Sequence, residues 1–124
     1  MQKGKIILTR FPFTDLSSSK RRPALVLIET EVSEPDTIVA FISSVIPDME
    51  SGSDLILLET HSDFEVTGLT KSSVIKFDKL ATLNKSIFTG EMGELSQGLF
   101  TEAQEKLIFA LQLGKEAGRD IVEA

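Results

Sequence analysis

Ala24-Leu25-Val26-Leu27-Ile28 is an unbroken apolar run that starts behind Pro23 and stops at Glu29. It is too short for a buried helix and is rich in strand-forming side chains, so it reads as a well-buried strand over residues 23 to 29. Other short runs repeat the signal along the chain. Residues 5 to 11 are apolar at Ile6, Ile7, Leu8 and Phe11, and further strands are expected over Thr37 to Ser44, Leu55 to Glu59, and Ser73 to Phe77 with a continuation to Leu83. A last short strand falls near Glu91 to Leu95. Closely spaced short strands of this kind predict a small barrel or a strongly curled sheet. Polar stretches separate them, the longest running from Pro12 through Ser17, Ser18 and Ser19 to Lys20, Arg21 and Arg22, with a second from Asp48 to Asp54.

The period changes near the C-terminus. Thr101 followed by Gln104 has the spacing of a capping box ahead of Ala103, Leu107, Ala110 and Leu111 on one helical face, and Gly114 is the expected stop. Residues 115–124 carry another glycine and mixed charge, so a flexible or short helical tail is expected there. With 124 residues, no repeat and no linker, the expectation is a single domain over residues 1–124, mainly β with a C-terminal helix. Cysteine is absent, which excludes disulfides, a thiolate nucleophile and cysteine-ligated zinc, and fits a reducing cytoplasm. The longest apolar runs fall far below the roughly 20 residues that span a bilayer, so no membrane partner is expected.

A formal charge of −6 argues against a nucleic-acid partner, but its distribution does not. Residues 1 to 27 hold Lys3, Lys5, Arg10, Lys20, Arg21 and Arg22 against Asp15 alone, a balance of +5, while the rest of the chain carries −11. A basic face on an acidic body and a merely solvated basic loop fit these numbers equally.

The segment Phe11-Pro12-Phe13-Thr14-Asp15, followed by Ser19-Lys20-Arg21-Arg22-Pro23-Ala24-Leu25-Val26-Leu27, resembles the signature of the MazF/PemK toxins. Ile38-Val39-Ala40-Phe41-Ile42-Ser43-Ser44 is similar to that family's third strand, and Ser73-Val74-Ile75-Lys76-Phe77-Asp78-Lys79-Leu80 through Lys85 to its segment before the last strand and helix. The resemblance covers most of residues 4 to 113. It implies an SH3-like antiparallel barrel of the MazF/PemK/CcdB type, a homodimer, and the toxin of a type II toxin–antitoxin pair. The implied activity is metal-independent, sequence-specific cleavage of single-stranded messenger RNA without a cofactor, and the implied protein partner is a cognate antitoxin. This chain departs from the pattern at Gly4-Lys5, where the family usually has an acidic residue after glycine, and at Ser43, where it usually has threonine.

Metal-free RNA cleavage by the ribose 2′-hydroxyl needs a proton acceptor, charge stabilisation at the phosphoryl oxygens and help for the departing 5′-oxygen. The guanidinium of Arg22 is permanently cationic and forks onto two phosphate oxygens, which suits it to the charge, while its pKa suits it poorly to donating a proton. Ser43 supplies a hydroxyl able to orient the 2′-hydroxyl or bond a phosphoryl oxygen. Strand alternation lets only one of Ser43 and Ser44 share the groove, and periodicity leaves both registers open; the resemblance selects Ser43, with Ser44 at the RNA-binding edge. Thr14, Asp15, Ser19, Lys20 and Arg21 are expected to meet RNA from the loop, and Phe13 to stack on a base, with Phe11 the core member of that pair. His61, the single histidine, reads as a loop residue, and one histidine excludes a paired-histidine mechanism within a subunit. Asp48, Glu50 and Asp54 lack calcium-loop spacing and are read as solvated; no metal site is expected. No phosphate-cradling glycine motif, nucleophile elbow or zinc-protease helix occurs. The alternative is a non-cleaving toxin fold, either an RNA-binding regulator or a gyrase poison like CcdB, because fold does not dictate activity.

Overall fold

The computed structural model describes residues 1–10 and 20–114. Six antiparallel strands, β1 (Lys5–Thr9), β2 (Arg22–Val26), β3 (Asp36–Ser43), β4 (Asp54–Leu57), β5 (Ser73–Asn84) and β6 (Phe88–Glu94), precede one helix, α1 (Gln97–Ala110). They form one sheet in the order β4-β5-β3-β2-β1-β6. The mainly β architecture with a C-terminal helix is the expected one, but the sheet is not closed into a barrel: its end strands β4 and β6 share no ladder. Between them lies the connection carrying a 3-10 turn at Glu65–Thr67, against which β6 packs backbone to backbone through Gly68 and Gly93.

Alternation along the strands builds two cores. Ile6, Leu25, Ala40, Ile42, Leu55, Ile75 and Phe77 point to one face, where Leu99 and Ala103 of α1 cover them. Ile7, Ala24, Val26, Val39, Ala81 and Leu83 make a smaller core on the opposite face, with Phe41 and Phe88 packed against it. The long strand β5 contributes to both because it inverts. Ala40 lies opposite Leu80 but Phe41 opposite Lys76, so Phe77, Asp78 and Lys79 are extra residues in β5. An odd insertion exchanges the faces, which is why Ile75 serves one core and Ala81 the other.

Several boundaries differ from expectation. β1 ends at Thr9, and Phe11 lies outside the described residues. Asp54 belongs to β4 and is buried, so reading it as a solvated loop residue is corrected. The helix begins five residues earlier than the Thr101 box implies. Ser96 is its N-cap, accepting the Leu99 N–H at 3.2 Å and donating to Asp63 Oδ2 at 2.8 Å. Thr101 sits inside the helix, its hydroxyl donating to the Gln97 carbonyl at 3.1 Å. The helix also stops before Gly114, with Gln112 already left-handed at φ 57°. Among the described residues no helix is long and apolar enough to cross a membrane.

Candidate nucleic-acid interface

The first two strands position the basic residues. β1 and β2 pair with Thr9 opposite Arg22, so the chain leaves β1 at Arg10 and returns through Lys20 and Arg21 at the same end of the sheet. Arg10, Lys20, Arg21 and Arg22 are all exposed. Of the other two bases of the N-terminal segment, Lys5 bonds Glu94 at 3.1 Å, and the Lys3 ammonium stands 5.9 Å from the Phe100 ring centre. The ammonium of Lys5 is held above its ordinary pKa by the hydrogen bond from it to Glu94 and by that carboxylate's charge.

The register of β2 with β3 places the two candidate catalytic residues. Ala24 lies opposite Phe41, Leu25 opposite Ala40 and Val26 opposite Val39. Continuing that register by two residues brings Arg22 level with Ser43. Both follow the parity of Ala24, Val26, Val39 and Phe41, so both belong to the face of the smaller core, opposite the face that α1 covers. Directly opposed residues on one face bring their Cβ atoms to roughly 5 Å. Arg22 is exposed and forms no ion pair among the described residues, while Ser43 is half-buried. Thr9, fully buried beside Arg22, donates weakly to the carbonyls of Arg10 and Ile87 and supplies a rigid flank. Ser43 Oγ accepts the Val45 N–H at 3.1 Å, which orients the hydroxyl and leaves its proton for a ligand.

Ser44 follows the last residue of β3, is exposed, and by alternation belongs to the other face, so it does not join the Arg22–Ser43 row. Phe13, Thr14, Asp15 and Ser19 lie outside the described residues. His61 is an exposed loop residue whose Nδ1 accepts the Asp63 N–H at 2.9 Å. No group of three or more metal-ligating side chains occurs among the described residues.

Two further groups near this row were not singled out by sequence reasoning. Arg10 was counted only as charge, yet the β1–β2 register makes it the flanking partner of the basic end. Lys76 lies opposite Phe41 and carries an ion pair to Asp54 at 3.5 Å. Only the β5 inversion puts Lys76 on this face, and no local pattern announces that. Four exposed carboxylates lie away from the site: Glu29, Glu31, Glu34 and Asp36 line a concavity at the far, β2–β3 turn end.

Solved structures share the fold. The Mycobacterium tuberculosis toxin MazF-mt6 superposes with a TM-score of 0.69 at 20% identity, covering 90% of this chain and 99% of that one. A mycobacterial endoribonuclease in complex with its cognate antitoxin gives 0.68 at 16% identity, covering 91% and 96%. The MazE–MazF complex (Form-II) of Deinococcus radiodurans gives 0.67 at 19% identity, covering 92% and 97%. A search of curated proteins by sequence gave no match. The family model described as PemK-like, MazF-like toxin of type II toxin–antitoxin system matches residues 2–111. The chain therefore belongs to the PemK-like, MazF-like toxins of type II toxin–antitoxin systems.

Proposed function

We propose that this toxin is a metal-independent, sequence-specific endoribonuclease acting on single-stranded messenger RNA in the cytoplasm, with Arg22 and Ser43 as its catalytic pair. The observation that carries the reading is the shared row: a guanidinium and a hydroxyl from two strands, level with each other at the basic end of the sheet. A binding surface needs the charge but has no need of a hydroxyl in register with it. Arg22 stabilises charge on the phosphoryl oxygens, and Ser43 orients the ribose 2′-hydroxyl. The 2′-oxygen bonds to phosphorus as its proton leaves, the bond to the 5′-oxygen breaks, and that oxygen takes a proton. The products are a 2′,3′-cyclic phosphate and a 5′-hydroxyl.

Phe13, Thr14, Asp15, Ser19, Lys20, Arg21 and Ser44 are the proposed RNA contacts, with Ser44 meeting the strand at the end of β3, outside the Arg22–Ser43 row. The working unit is a homodimer of single-domain chains, and a cognate antitoxin is the protein partner; residues 115–124, expected as a tail, lie outside the described residues. Two solved relatives are complexes of this kind by description.

The test is cleavage of a long unstructured RNA in excess EDTA by the wild type, Arg22→Ala and Ser43→Ala, with the ends characterised. Discrete fragments ending in 2′,3′-cyclic phosphate, lost in Arg22→Ala and reduced about 10- to 100-fold in Ser43→Ala, are expected, as for a removed positioning group. Intact RNA from folded wild-type protein would transfer the assignment to the non-cleaving or gyrase-poison alternative.

A further inference from the structure

Asp54 is the buried ionisable group that the chemistry above leaves unused. Its side chain is 5% exposed, and Oδ1 has no hydrogen-bond partner. Oδ2 receives only a long bond, 3.4 Å, from the Ser51 N–H. The compensation for its charge is the ammonium of Lys76, 3.5 Å from Oδ1 and 24% exposed as a side chain. A buried ion pair contributes little to stability compared with an apolar pair of the same volume, so the fold by itself gives no reason for this one. Its position does. Lys76 is the neighbour of Phe41 on β3 and of Asp54 on β4, and shares the face of Arg22 and Ser43. Ser43 is opposite Val74, two residues along β5 from Lys76. With strands about 4.8 Å apart and a rise of about 3.3 Å per residue, the Lys76 Cα stands about 8 Å from that of Ser43 and about 12 Å from that of Arg22.

We propose that Asp54 is a positioning residue of the nucleic-acid cleft. It tethers the Lys76 ammonium beside the Arg22–Ser43 row, so that Lys76 meets the phosphate next to the one that is cleaved. The inference rests on the ribonuclease reading above. An ammonium has three donors, and a carboxylate 3.5 Å behind it holds it by charge and leaves those donors for phosphate oxygens. Lys76 cannot depart with the RNA, because that would strand a buried carboxylate without its cation. The tether therefore holds in both the free and bound states.

The test measures binding of a fluorescein-labelled, 2′-O-methylated single-stranded RNA pool across a salt series, by anisotropy, with full-length protein. Lys76→Ala should weaken binding about five-fold at 0.1 M salt and lower the salt slope by about 0.7, the value of one released counterion on a single strand. Lys76→Arg should restore both. Asp54→Asn adds a unit of positive charge, so a role in overall electrostatics alone makes it bind more tightly. The tether requires it to bind more weakly, and to have no further effect in the Lys76→Ala background. Should Asp54→Asn fail to fold, the paired change Asp54→Leu with Lys76→Met keeps the site apolar and must lose as much affinity as Lys76→Ala. Tighter or unchanged binding by Asp54→Asn, or an unaltered slope in Lys76→Ala, overturns the proposal while cleavage by the wild type and its loss in Arg22→Ala leave the ribonuclease reading standing. A wild type that neither binds nor cuts RNA removes both.

Discussion

Gly93→Ala tests how the open side of the sheet is sealed. A Cβ at Gly93 would stand 2.6 Å from the Thr67 carbonyl carbon and overlap the Val66 carbonyl oxygen. Both obstacles are backbone of the 3-10 segment and cannot rotate away, so relief requires β6 and that segment to separate by most of an ångström. Overpacking of this kind costs about 1–3 kcal/mol. Gly68→Ala meets the same contact from the other side, against the Met92 carbonyl, and adds the cost of φ +74°, about 1–2 kcal/mol more. Against a total stability of about 5–15 kcal/mol these are large losses. Gly90 is the control. It lies in the same strand with nothing within 4 Å of its notional Cβ and no positive φ, so Gly90→Ala should be neutral or stabilising by up to about 1 kcal/mol. In urea, with a slope of about 2 kcal/mol/M, Gly93→Ala should move the midpoint down by about 0.5–1.5 M and Gly68→Ala further. The double variant should lose less than the two singles added together, since one displacement relieves both contacts. Equal midpoints for Gly93→Ala and Gly90→Ala would refute the reasoning, and with it the picture of β6 held by backbone contact where a barrel would have a ladder.

Two further outcomes are expected. Ser96→Ala should destabilise the protein by about 1 kcal/mol, whereas Thr101→Ala should be neutral or mildly stabilising, because the first removes the N-cap and the second a helix-interior threonine; thermal unfolding of the two variants checks this. Lys5 titrates above its ordinary 10.5 in the folded state because Glu94 favours the ammonium, so its contribution is complete below that pH and is lost as pH rises through the raised value. Glu94→Gln should consequently flatten the fall in stability above pH 10.5, read by urea titration at a series of alkaline pH values.

Most strands were legible because each carries its own apolar run, and the buried strand at Ala24–Ile28 anticipated β2 within a few residues. The errors have local causes. Thr101 and Gln104 have capping-box spacing, but Ser96 is also followed three residues later by Leu99, a residue the core needs, and burial of Leu99 outweighs a side-chain pattern. Leaving Asp54 in a solvated loop followed composition, since Ser51, Gly52 and Ser53 precede it; only pairing with Lys76 explains why a carboxylate begins a buried strand. Strand spacing left a small barrel and a curled sheet both open, and the resemblance supplied the barrel; neither says whether the last pair of strands comes within hydrogen-bonding distance.

The candidate pair was named from a family resemblance, and the charges around it show why whole-chain charge misleads here. Arg22 and Ser43 sit 21 positions apart, and strand parity alone left Ser44 as an equal choice. What separates the two serines is the face shared by Ala24, Val26, Val39 and Phe41, a property of two paired strands and of neither alone. The same pairing sorts the charges. β2 begins at Arg22 beside Lys20 and Arg21, while Glu29, Glu31, Glu34 and Asp36 gather around the turn after it. From Arg22 to Glu29 the nearly extended chain covers about 20 Å, more than twice the Debye length of about 8 Å at physiological salt. A phosphate bound as proposed at Arg22 would therefore feel the bases around it, and the carboxylates at the far end would be screened. The charge of −6 describes the molecule seen from a distance; a phosphate bound as proposed at Arg22 would be governed by what lies within one screening length, where Arg10 and Arg21 flank it, while the buried Asp54 further along this end is matched by Lys76.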